Sequence, residues 1–219
     1  MKSNETYLNI GNRKIDPKKP MVALTFDDGP NPSSSNRILD TLEKYNSVAT
    51  FFELGSLASS YPNVIKREEK IGCEVASHTY SHADLAGLSR DGILGEVNKA
   101  DNVFKKILGH DVSLLRPPYG STSQLVRNTV NHPLILWDID TLDWKSRNKN
   151  SILSEVHAVS DYNGRIILMH SIYETTADAV EELVPELINK GYQLVTVSEL
   201  AKYKGYNTLK NGGIYYNFR

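Results

Sequence analysis

Short apolar runs rich in β-branched residues alternate along this chain with longer segments of helical period, and this alternation constrains the fold more than any other feature. Seven candidate strands fall at 22–26, 48–53, 73–77, 113–115, 134–137, 165–169 and 193–197. Between them, 36–45 places Ile38, Leu39, Leu42 and Tyr45 on one helical face. Residues 93–108 do the same with Leu94, Val97, Ala100, Val103, Phe104 and Ile107, and 177–190 with Val180, Leu183, Val184, Leu187 and Ile188. Strands with this spacing, separated by amphipathic helices, predict repeated βα units around a parallel sheet.

A chain of 219 residues suits one α/β barrel or two small domains. The βα pattern runs from about 22 to 203 without a linker, charge block or shift in composition, so one domain is expected. Residues 1–19 read as an N-terminal extension, 20–204 as the folded domain and 205–219 as a tail packed on it, with 207–219 an extended segment or final hairpin around Asn211-Gly212-Gly213. The 25 basic and 26 acidic residues leave a net charge of −1, which offers no electrostatic footprint for nucleic acid or an anionic membrane. No apolar stretch is long enough for a membrane helix, and a monomer is expected. The polar opening carries no signal-peptide core, yet it is also what a chain trimmed of an export signal looks like. Cys73, the single cysteine, lies in a strand-like run and reads as a packed core thiol.

Active sites of barrels and open α/β sheets form on the loops after the C-terminal strand ends. That rule gathers Asp27, His78, Arg116, Asp138 and His170 on one rim. Asp27 and Asp28 stand side by side after the run 21–26 and are followed by Gly29-Pro30. Two adjacent carboxylates cannot both be buried and ionised without a strong counter-charge. On an extended backbone they point to opposite sides, whereas a turn brings both to one pocket, where one can bind a metal and the other handle protons. Helix capping is the simpler role for either, but Asn31 and Ser33, Ser34 and Ser35 already serve it.

His78 and His82 form a His-x-x-x-His pair, and on one helical turn both rings point the same way, as metal ligands require. The alternative is a capped turn with solvated imidazoles. The nearby carboxylates favour the metal, because two imidazoles and one carboxylate leave a position for water or substrate, and this donor set suits zinc first. Arg116-Pro117-Pro118-Tyr119-Gly120 is a stiffened loop that can aim a backbone amide at a reaction centre, or be only a rigid surface turn. The acids Asp138, Asp140 and Asp143 with Trp144 read, taken alone, as a solvated loop with a tryptophan folded onto the core. His170 ends an apolar strand and can serve as a general acid if a carboxylate retains its proton. His110, His132 and His157 have no such setting and read as surface residues.

Together, Thr25-Phe26-Asp27-Asp28-Gly29-Pro30, His78-Thr79-Tyr80-Ser81-His82, Arg116-Pro117-Pro118-Tyr119-Gly120, Asp143-Trp144 and Leu168-Met169-His170 resemble, in order, the motifs of the polysaccharide deacetylases, the NodB-homology group or carbohydrate esterase family 4. The resemblance covers about residues 20–204. It implies an α/β fold, a distorted (β/α) barrel of about seven parallel strands, and one divalent metal held by Asp28, His78 and His82, zinc first and cobalt as an alternative. It also implies Asp27 as general base tethered by Arg116, and His170 as general acid oriented by Asp143. Trp144 and Leu168 would wall the acetyl pocket, and the Tyr119 amide would serve the oxyanion. The implied reaction is N-deacetylation of N-acetylglucosamine units in a β-linked polysaccharide, peptidoglycan or chitin oligomers, outside the cell or at its wall. An acetylxylan esterase and an inactive carbohydrate-binding module are the rival readings, with a zinc-dependent peptide amidase disfavoured by the shallow pocket implied.

Overall fold

The computed structural model describes residues 9–10 and 13–219, so part of the extension read at 1–19 lies outside the described residues. An antiparallel pair, β1 (Asn9–Ile10) with β2 (Arg13–Lys14), precedes β3 (Met21–Asp27), whose residues are all buried. Next come α1 (Ser34–Lys44), β4 (Thr50–Glu53), α2 (Gly55–Ser60), α3 (Pro62–Lys70), β5 (Glu74–Ser77) and α4 (Arg90–Leu108). The second half holds α5 (Gln124–Thr129), β6 (Leu134–Ile135), β7 (Ile139–Asp140), α6 (Asp143–Ser146), α7 (Lys149–His157) and β8 (Arg165–His170). It finishes with α8 (Glu174–Asn189), β9 (Gln193–Leu194), α9 (Val197–Tyr203) and β10 (Ile214–Tyr215).

β3 is the axis of the sheet and pairs in parallel with β4, β8 and β9. Parallel pairing continues from β4 to β5 and from β8 to β7. Single-residue bridges from Ser77 to Leu115 and from Leu115 to Leu134 carry the wall on to β6. The fold is a distorted (β/α) barrel of the seven-stranded kind in a single α/β domain, as expected.

Strand periodicity divides the core. Val22, Leu24 and Phe26 of β3, with Ile167 and Met169 of β8, face outward onto Ile38, Leu39 and Leu42 of α1 and Val180, Leu183 and Val184 of α8. Met21 and Ala23 of β3, Phe52 of β4 and Ile166 of β8 face the interior with Ile135 and Val195. The same parity turns Asp27 and His170 inward, and the register places them opposite one another. Each buried aliphatic or aromatic side chain contributes about 1.5–3 kcal/mol through removal from water.

Several expectations need correction. The strand expected at 113–115 is only the Leu115 bridge, and the one at 134–137 breaks into β6 and β7, because 134–135 pairs with the tail while 139–140 pairs with β8. Residues 207–219 do not form a hairpin: β10 runs parallel to β6, and Phe218 is buried in the interior. Asp138 leaves the expected rim, because the register of β7 sets it against the start of β8, where it accepts from Arg165 Nη1 at 2.8 Å and Ile166 N at 3.1 Å. His132 is buried, its Nε2 3.5 Å from Asp101, whereas His110 and His157 are surface residues paired with Glu69 and Glu186. Cys73 is core as read, and burial pushes its thiol up to about 12. Among the described residues, no helix is long and apolar enough to cross a membrane.

Candidate active site and metal centre

At the C-terminal ends of β3 and β8 a cavity of about 440 Å³ opens, lined by Asp27, Asp28, His78, His82, Tyr119, Trp137, Asp140, Trp144, Leu168 and His170. Eight of the ten expected site residues line it. The other two, Arg116 and Asp143, are fully buried behind the wall.

Asp27 is turned inward by the strand's alternation. Asp28 joins it because its φ of 71° breaks the extended path, so the two carboxyls enter one cavity, as the turn argument required. Arg116 meets four oxygens: Asp27 Oδ1 at 2.7 Å, Thr25 Oγ1 at 2.8 Å, and the carbonyls of Ile135 and Leu136 at 3.0 Å each. Its guanidinium also lies 4.0 Å from the Phe52 ring centre. Burial lowers the Arg116 pKa and Asp27 works against that shift. Thr25 was not expected here; it anchors Arg116 and donates to Ile167 O at 2.7 Å.

His78 Nδ1 stands 2.7 Å from Arg116 O. A carbonyl only accepts, so Nδ1 carries the hydrogen and Nε2 presents its lone pair to the cavity. His78 Nε2 lies 3.4 Å and His82 Nε2 3.2 Å from Asp28 Oδ1, and one ligand atom from each of the three residues falls within 4.8 Å of the others. Asp28 Oδ1 is buried with no hydrogen bond of good geometry to satisfy it. Burial opposes ionisation of Asp28, but its contacts with His78 and His82 and the His170 charge outweigh that and hold it well below the usual carboxylate range. The histidines do not share a helical turn, as the spacing suggested. Thr79 and His82 adopt φ of 70° and 66°, and neighbouring elements satisfy the loop's backbone in place of helical bonds.

Asp143 accepts four hydrogen bonds: from His170 Nδ1 and N at 2.7 Å each, Thr176 Oγ1 at 2.7 Å and Trp144 N at 2.8 Å. His170 Nε2 is thereby left for the cavity. Burial alone would lower the His170 pKa, but the bond to Asp143 and the charges of Asp143, Asp27 and Asp28 raise it. Trp144 is 47% exposed at the rim and does not fold onto the core, because α6 turns Asp143 inward and leaves its neighbour on the wall. Tyr119, also exposed, reaches His82 Nδ1 through its hydroxyl at 3.1 Å.

Two further acids were missed. Glu53 and Glu68 are wholly buried behind the Asp28 turn, their four oxygens without normal hydrogen-bond partners. Desolvation raises both, Glu68 to about 8, and Glu53 further through the charge of Glu68 and its proximity to Asp27 and Asp28. A trace was present in the sequence: Glu53 ends an apolar strand, and Glu68 falls on the same helical face as Val64 and Ile65.

A family model for polysaccharide deacetylase matches residues 14–132. The peptidoglycan-N-acetylmuramic acid deacetylase PdaC of Bacillus subtilis is 45% identical over 190 residues, 87% of this chain and 40% of that protein. The solved PdaC structure superposes with a TM-score of 0.84 over 87% of this chain and 94% of that one. The peptidoglycan-N-acetylglucosamine deacetylase PgdA of Listeria monocytogenes is 38% identical over 179 residues, 82% of this chain and 38% of that protein. A family 4 acetyl xylan esterase from Clostridium thermocellum, solved with a cobalt ion, is 31% identical with a TM-score of 0.83 over 90% of this chain and 98% of its own. The chain thus spans about two fifths of the length of the curated relatives it matches. Motif order, barrel register and these likenesses agree: the chain belongs to the polysaccharide deacetylase family.

Proposed function

We propose that this domain is a metal-dependent hydrolase that removes N-acetyl groups from N-acetylglucosamine units of a β-linked polysaccharide, peptidoglycan foremost, releasing acetate. The observation that carries the reading is the placement of Asp27 and His170 as register partners on one cavity that also holds Asp28, His78 and His82. The names of the PdaC and PgdA relatives support peptidoglycan as the polymer. Such a substrate puts the protein outside the cell or at its wall, acting as a monomer.

The residues fit a divalent metal. Two imidazole nitrogens converge on a buried carboxylate oxygen that lacks any other satisfying partner, and the His78 tautomer is set by Arg116 O. Two nitrogens and one oxygen suit zinc, with cobalt the nearest substitute. Bound there, the metal supplies Lewis acidity, polarising the acetamide carbonyl and lowering the pKa of water.

The protein groups perform the rest. Asp27, with Oδ1 held by Arg116, keeps Oδ2 for the proton of the attacking water. The Tyr119 amide lies on a loop with left-handed φ at both Tyr119 and Gly120, where it can meet the developing oxyanion. His170 retains its proton through Asp143 and delivers it from Nε2 to the departing nitrogen, without which an amine is a poor leaving group. Leu168 and Trp144 wall the space for the acetyl methyl.

The deciding measurement is acetate release from peptidoglycan, N-acetylglucosamine oligomers and acetylated xylan, each with zinc, cobalt or chelator. The reading expects metal-dependent release from the first two. Release from xylan alone would turn it into an esterase, and sugar binding without any release would mark a binding module.

A further inference from the structure

Loop 78–82 carries two of the three candidate metal ligands in a backbone conformation that costs free energy by itself. Left-handed φ at Thr79 and His82 is unfavourable for residues with side chains and persists only where the surroundings enforce it. Two neighbours do so. The first amides of α2, Gly55 N and Ser56 N, donate to Thr79 O and Tyr80 O at 3.0 Å each. This approach needs a glycine, since a Cβ at Gly55 would lie 2.9 Å from Ala100 Cα and 3.1 Å from Tyr80 Cδ2.

Opposite them stands Glu96 of α4. Its Oε2 accepts from Ser81 N at 2.9 Å and Tyr80 N at 3.2 Å, and its Oε1 accepts from Ser81 Oγ at 2.8 Å. Lys99, one turn of α4 further on, places its ammonium 3.7 Å from the centre of the Tyr80 ring. The α2 amides thus take the loop's carbonyls and the α4 carboxylate takes its amides. All three Glu96 contacts fall on the two residues immediately before His82.

We propose that Glu96 is a positioning residue for the metal centre: its carboxylate fixes Tyr80 and Ser81 so that His82 Nε2 is presented to Asp28 and His78. This rests on the reading of Asp28, His78 and His82 as metal ligands. Glu96 touches neither metal ligand side chains nor cavity; it acts through the loop. Groups that orient ligands in this way typically govern about 10- to 100-fold in metal affinity. The three contacts also predict which substitution is tolerated. A glutamine can turn its carbonyl to the two amides and donate its NH2 to Ser81 Oγ, a hydroxyl that accepts equally well.

The test is a cobalt(II) titration of the metal-free protein against a chromophoric chelator, with melting temperatures of the metal-free forms recorded alongside. Glu96→Ala is expected to weaken cobalt binding about 10- to 100-fold, and Glu96→Gln to stay within about threefold of wild type on the same scale. If the alanine variant does not fold, Glu96→Asp, shorter by one methylene, takes its place with the same expectation of weakened binding. A folded alanine or aspartate variant that binds cobalt as tightly as wild type, with only its metal-free melting temperature lowered, makes Glu96 a structural tether and overturns the proposal. Loss of affinity in Glu96→Gln equal to that in Glu96→Ala overturns it as well, because the hydrogen-bonding account would fail. Wild-type protein that binds no cobalt rejects the metal centre itself, a result separate from either.

Discussion

Arg116 Nη1 lies 2.7 Å from Asp27 Oδ1, the arginine fully buried and the aspartate side chain 4% exposed. One cation therefore faces one carboxylate with little water to screen the pair, and three of the other four Arg116 N–H donors go to Thr25, Ile135 and Leu136. Asp27 is held in one orientation, with Oδ2 directed away from Arg116 and 3.8 Å from His78 Nε2.

Asp27→Asn keeps the shape and removes the base. Turnover on acetylated oligomers should fall by about 100- to 10,000-fold, while cobalt affinity stays close to wild type because Asp28, His78 and His82 are untouched. Steady-state acetate release beside a metal titration checks both, and near-normal turnover would reject the base assignment.

The His170 pKa is raised against burial by Asp143 and by the nearby aspartates. An acid with a raised pKa stays protonated to higher pH, so the alkaline limb of kcat should lie above the usual histidine value of about 6.5. Asp143→Asn removes the charge and should move that limb to lower pH while reducing kcat. The profile of kcat against pH at saturating substrate and metal reads this directly; an unmoved limb would show that another group sets it.

Glu68 is raised to about 8 by desolvation. Between the unfolded glutamate pKa, about 4.3, and that folded value, the unfolded chain has released a proton that the folded protein still holds. Stability therefore falls as pH rises through this window, by up to about 1.4 kcal/mol per pH unit for one proton. Glu68→Gln removes the titration, so it should raise the melting temperature more at pH 8 than at pH 5. Parallel shifts at both pH values would contradict the assignment.

Gly29 sits against Glu53, the acid buried beside Glu68. A Cβ there would fall 2.4 Å from Ser171 Oγ and 2.7 Å and 2.9 Å from the Glu53 carboxylate oxygens, so Gly29→Ala must displace the turn that carries Asp28. Destabilisation of about 1–3 kcal/mol is expected, together with weaker metal binding. Denaturant melts and cobalt titration measure the two effects, and a variant with wild-type values for both would show that the turn yields freely.

Much of this was legible in the chain. β3, β4, β5 and β8, and the helices α1, α4 and α8, follow from local apolar period; the strand-end rule gathers Asp27, His78, Arg116 and His170, while Asp143, Trp144, Leu168 and Tyr119 take site roles only through the family resemblance. What escaped depends on partners distant in sequence. β10 forms because Ile214 and Tyr215 find Leu134 and Ile135, some eighty residues earlier; that pairing splits the expected fifth strand, and the register of β7 on β8 carries Asp138 off the rim. Glu53, Glu68 and Glu96 gave weak signals, since an acid's role depends on whether the opposing surface supplies donors, another acid or water.

The sequence by itself determined the alternation that makes a barrel, the strand parity that turns Asp27 and His170 inward, and the presence of imidazole and carboxylate groups at the strand ends. These follow from side-chain periodicity and functional-group chemistry, both local properties. Only the tertiary structure decided that Asp28 swings into the cavity beside Asp27, that His78 and His82 converge through a strained loop and not a helical turn, and that Arg116 and Asp143 sit buried behind the two groups they hold. Those outcomes depend on register and packing between segments far apart, where a carboxylate's environment, and with it its role, is set by what the fold brings to within a hydrogen bond.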